Sequence, residues 1–168
     1  MSTIAAAILS TGALADSSSI KEAFENGKFS GDVTLYGESY HFNGDVANAG
    51  YAMTSIGLAY ETDTLNGFKV SLAARTNHKL REHEDDDYSD GKDPEAAFSV
   101  VNVSYAMDKA LFTVGRQEIG LEWIGDFHEA VVAELSYIPD TTITIGHSER
   151  FMAVDNDAAL ERMADIGD

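Results

Sequence analysis

Five basic residues stand out for the chemistry they could do: Lys69, Arg75, Lys79, Arg116 and Arg150. All lie in extended, alternating segments with few acidic neighbours close by in sequence. A guanidinium offers a planar fork of donors that matches a carboxylate, and an ammonium offers a compact point charge. The plainer use is structural, with the same cations paired to Asp32, Glu38 and Glu134 on neighbouring segments. Neither use is catalysis. The chain carries no G-x-S-x-G, no G-x-x-x-x-G-K-[ST] and no Gly-rich fingerprint between a strand and a helix. Carboxylates abound, but a glycosidase needs two of them placed across a cleft. No catalytic residue and no cofactor is expected, and the chain is not read as an enzyme.

Metal chemistry has little to stand on. There is no Cys, and His41, His78, His83, His128 and His147 lack a ligand spacing such as H-x3-H. The most acidic run is EHEDDDYSDGKD, residues 82–93. Hard cations take oxygen ligands, so a divalent cation is one use for it. The EF-hand pattern is not met, because the sixth position from Asp85 is Asp90 and the twelfth is Ala96. The run reads first as a solvated external loop.

The formal net charge is −18, which disfavours nucleic acid as a partner and draws cations to the surface. No apolar run reaches the ~18 residues that a spanning helix needs. The opening MSTIAAAILSTGALAD has an apolar middle, Ile4 to Leu9, and small residues at Ala13 and Ala15 before Asp16. That pattern reads as an export signal over residues 1–15, although the basic n-region is missing and the first Lys is Lys21.

The elements that must position these groups follow from hydrophobic period. SSSIKEAFENGK reads as one short helix within 16–28, capped by Ser18 or Ser19 and ended by Gly27, with Ile20 and Phe24 on one face. Alternating segments then occur at about 29–42, 51–62, 67–80, 97–107, 110–117, 129–138 and 141–150. Their joins alternate strictly between short and long. DTLN, DK and PD are tight turns; NGDVANAG, REHEDDDYSDGKDPEA and EIGLEWIGDFH are long connections. An up-and-down antiparallel sheet then gathers the short turns at one end, as outer-membrane barrels do. One face collects Val33, Leu35, Ile56, Leu58, Val70, Leu72, Val101, Val103, Val131, Ile143 and Ile145. The other collects Asp32, Thr34, Glu38, Lys69, Arg75, Asn77, Asn102, Glu134 and, by simple alternation, Arg150. Tyr60, Tyr105 and Tyr137 fall near the short turns, where an aromatic girdle belongs. The fifth segment is irregular, since Arg116 shares alternation with Phe112 and Val114. Either the strand leaves the bilayer near Gly115 or a bulge flips it there.

GRQEIGLEWIGDFHEAVVAELSYIPDTTITIGHSER, residues 115–150, and SIKEAFENGKFSGDVTLY, residues 19–36, resemble the OprD-type (Opr family) outer-membrane porins. The resemblance implies an all-β, antiparallel up-and-down transmembrane β-barrel for passive uptake of small polar or charged solutes. It implies bacterial outer-membrane lipid and lipopolysaccharide as surroundings; beside its reading as a solvated loop, the acidic run could bridge lipopolysaccharide through divalent cations bound to its oxygens. It also suggests a pore-lining ladder of Lys69, Arg75, Lys79, Arg116 and Arg150 that guides anionic solutes. Seven strands are odd in number and too few to close such a barrel, so 29–168 is expected to be an incomplete amino-terminal segment. The stretch after the seventh strand, MAVDNDAALERMADIGD, is expected to be a partly helical external loop. The alternative from another class is a secreted all-β sandwich that binds carbohydrate. It requires Val70, Leu72, Ile143 and Ile145 to be buried against a second sheet.

Overall fold

A computed structural model describes residues 16–44, 47–89, 91–122 and 124–167. The expected export signal over 1–15 lies outside the described residues. The chain forms a short helix α1 (Ile20–Glu25) followed by β1 (Lys28–Tyr40), β2 (Ala49–Glu61), β3 (Phe68–Glu82) and β4 (Ala96–Met107). It continues through β5 (Ala110–Glu118), β6 (Phe127–Leu135), β7 (Ile143–Met152) and the two-residue β8 (Ala164–Asp165). All eight strands form one antiparallel sheet in the order β1 to β8, up and down, and the sheet is not closed.

Ser19 caps α1, accepting a hydrogen bond from the Glu22 amide, while the Glu22 carboxylate reaches back to the Ser18 amide. Ile20 and Phe24 are exposed; Ala23 is the buried residue. Backbone bonds explain this. The Ser17 amide donates to the Thr64 carbonyl and the Asp63 amide to the Ala23 carbonyl, so α1 is tied to the β2–β3 turn. The Tyr60 hydroxyl donates to the Phe24 carbonyl at 2.6 Å. The Ser17 hydroxyl bonds Asp63 and holds that carboxyl below the usual range.

The strands pair so that one face is apolar and exposed. Val33 stands opposite Ile56, and Ile56 opposite Thr76; Leu72 stands opposite Val101, and Val103 opposite Val114 and then Val131. The opposite face carries the polar rows. Residues just after β7 reach β1 and β3, where Asn156 bonds Thr34 and Asn77 bonds the Asp155 carbonyl. In a flat sheet β7 and β1 would lie six strand spacings apart, ~29 Å. The sheet therefore curves, with the polar face concave and the apolar face convex.

Among the described residues, three bulges interrupt the register, at Leu80 on β3, Ser99 on β4 and Glu149 on β7. Each extra residue leaves the ladder unpaired and sharpens the local twist. The β7 bulge also resets which face the following residues occupy.

Candidate functional site on the concave face

The centre of the concave face is a row across three strands. Asp32 on β1 lies opposite Gly57 on β2, which lies opposite Arg75 on β3. Arg75 reaches over Gly57 and binds both carboxylate oxygens of Asp32, at 2.7 and 3.0 Å, and its guanidinium also donates to the Ser55 hydroxyl at 2.6 Å. The glycine leaves the space that the pair crosses. A Cβ at position 57 would lie 2.5 Å from the Asp32 carboxylate and 2.7 Å from the Arg75 guanidinium.

Residues 153–160 cross the concave face as a strap. The Asn77 amide, on a side chain 1% exposed, donates to the carbonyls of Asp155 (2.8 Å) and Ala158 (2.6 Å). The Tyr51 hydroxyl donates to the Asp157 carbonyl at 2.7 Å, and the Asn156 amide to the Thr34 hydroxyl at 3.2 Å. Met152 and Leu160, both almost fully buried, bracket the strap. Between strap and sheet lies a cleft of ≈ 850 Å³, whose charged lining is Asp32, Arg75, Glu118, Asp126, Asp155 and Asp157. Burial, and then the nearby Asp157, Asp126 and Glu161, push the Asp155 carboxyl above the usual carboxylate range. The cleft is electronegative, and its one cation is already committed to Asp32.

The eight expected pore-lining residues divide. Lys69 faces the concave side with Glu61 at 3.8 Å, and Lys79 pairs with Glu82 three residues on. Glu38 accepts from the Tyr36 and Tyr40 hydroxyls. Glu134 shares the concave row with Leu111 and Thr144. Asp32 and Arg75 form the central pair. Arg116 and Arg150 are on the convex face instead. Pairing across β4, β5 and β6 runs without a shift, so Arg116 stays on the side of Phe112 and Val114. For Arg150 the reason is the Glu149 bulge, which uses one residue and turns Arg150 away from the side of Ser148. Both bind Glu129, Arg116 at 2.5 Å and Arg150 at 3.0 Å, and Arg150 also meets Asp165 at 3.3 Å. All three members of this cluster sit two residues from the long-connection ends of their strands. The five basic residues thus form no continuous ladder, and each has a carboxylate partner.

The stretch after β7 is not helical; it is the strap followed by β8. Its inward course depends on Asn77, Tyr51 and Thr34; alternation put Asn77 and Thr34 on this face but could not pair them with anything. In the acidic connection, the Asp87 carboxylate accepts from the amides of Glu84 and Gly50, which holds it below the usual range. Part of that charge therefore serves to fold the connection. Among the described residues, no group of three or more His, Asp or Glu is arranged to hold a metal ion.

This chain matches no protein-family model, no characterised protein and no solved structure.

Proposed function

We propose that this chain forms part of the wall of a bacterial outer-membrane porin, a passive channel for small polar or charged solutes. The observation that carries the reading is the convex face. Val33 and Leu35 are about three-quarters exposed, at 75% and 76%, and Leu58, Phe98 and Ile145 are at least 60% exposed. Exposed apolar residues recur on this face of each of the seven long strands, and an extended apolar surface of this kind marks a membrane or partner contact. Acyl chains suit it, and every paired backbone group in a continuous sheet suits a bilayer. The concave face supplies the matching hydrophilic wall of ion pairs and amides. Phe29 packs on Tyr60 and Phe68 on Tyr105, each pair with ring centroids 4.5 Å apart, beside the short turns where a girdle belongs. Leu72, Ile143 and Ile145 are exposed rather than covered by a second sheet, which is why the sandwich reading is set aside.

Fractionation of expressing cells tests the proposal. The protein should sediment with the outer membrane and leave it only in detergent. Recovery as a freely soluble exported protein overturns it.

A further inference from the structure

We infer that the strap over residues 153–160 is a pH-responsive closure, seated on the concave face in acid and loosened as Asp155 ionises among the carboxylates of the cleft. The inference rests on the conduit reading above and names a regulation of the same site.

Carboxylates converge on the cleft from three places: Glu118 at the end of β5, Asp126 just before β6, and Asp155 with Asp157 in the strap. Glu161, just past the strap, also acts on Asp155. Beneath the strap, β1 presents Asp32 and β3 presents Arg75. β2 presents the Tyr51 phenol, a group type neutral below about pH 9. Arg162 beyond the strap is turned to the Lys92 carbonyl. The Arg75 guanidinium could offset the cluster, but it holds both oxygens of Asp32. Ionised strap carboxylates therefore enter a partly buried space that already repels them.

The latch itself is indifferent to their charge. Its bonds end on the backbone carbonyls of Asp155, Asp157 and Ala158, and on the Asn156 amide. Protonating the carboxyls removes repulsion without removing a latch bond. The direction follows from linkage. Burial and Asp126, which Asp155 meets only with the strap seated, both raise its pKa, so the docked strap binds protons more tightly than a solvated one. Docking is therefore favoured as pH falls and weakened as pH rises through the docked-state pKa.

The chain has no Cys, so introduced thiols report without background. Nitroxides placed at Ala59→Cys and Val154→Cys, which line the cleft from the sheet and from the strap and make no latch bond, broaden each other's spectra only while the strap is seated. With the full chain folded in detergent, we expect the docked-to-free ratio to rise several-fold from about pH 8 to about pH 5. In an Asp155→Asn background, the strap should stay seated across that range. Amide exchange over 153–160, corrected for its intrinsic pH dependence, gives the same comparison without labels. Equal docking at all pH values, or an unchanged slope in Asp155→Asn, overturns the inference. Neither measurement needs conduction. A chain that proves freely soluble thus defeats the porin reading, while strap motion still decides this one.

Discussion

Gly57 is the residue on which the central ion pair depends. Gly57→Leu places carbon where the Asp32 and Arg75 side chains now meet, and the pair must part. Arg75 is largely buried at 12% side-chain exposure, so its loss should cost about 2 kcal/mol, the range of hydrogen bonds to charged groups. Urea unfolding of Arg75→Ala, Asp32→Ala and the double variant measures that coupling, and Gly57→Leu should reproduce most of it. In the proposed channel, ion preference should move as well. Arg75→Ala unmasks Asp32 in a cleft already rich in carboxylates, so the reversal potential across a salt gradient should shift toward cations. Arg150→Ala should leave it unchanged, because that side chain is on the convex side with Glu129 and Asp165. A shift caused by Arg150→Ala would place Arg150 in the conduit.

Two elements hold the sheet in shape through local backbone choices. Gly115 in β5 has φ +115, a conformation that L side chains rarely adopt, and an added Cβ would run into the Val101 carbonyl. Gly115→Ala should therefore destabilise the folded state by about 1–3 kcal/mol, read as a lower urea midpoint. A midpoint equal to the parent's would show that β5 relaxes freely there. At the other end, α1 contributes separately from the sheet. Ser19→Ala removes its N-cap and should cost about 1 kcal/mol locally. Amide exchange should quicken within 20–25 while the strands keep their protection. Loss of protection in β2 as well would make α1 a structural clamp on the β2–β3 turn.

The convex face sets the whole molecule's environment. Val33, Leu58 and Val114 are exposed at 75%, 66% and 54% on three different strands. Replacing each with Lys distinguishes two surroundings. Against lipid, a Lys costs about 2–4 kcal/mol at the midplane and less toward either interface. In water, a surface substitution usually changes stability by no more than about 0.5 kcal/mol. Folding yield into lipid vesicles should therefore drop for at least the most central of the three. Three near-neutral results would place that face in water.

Seven long strands, their short and long joins and the sidedness of most of them were legible in the residues, because side chains alternate with period two and turns need particular residue types. Val33, Leu58 and Lys69 fall where alternation sends them. What alternation cannot register is a residue that leaves the ladder. One bulge at Glu149 moves Arg150 to the other face, and nothing in SERFM announces it. Arg116 is the converse: its place with Phe112 and Val114 was readable, while the Glu129 partner that makes it tolerable comes from another strand. The strap lay furthest from view. Its course is set by Asn77, Tyr51 and Thr34, which lie roughly 80 to 120 residues before the atoms they hold, and such contacts exist only once the sheet has curved. Local pattern decides extended backbone and facing; the closing distance between β1 and β7, a property of curvature summed over many strands, decides which charges share a cleft.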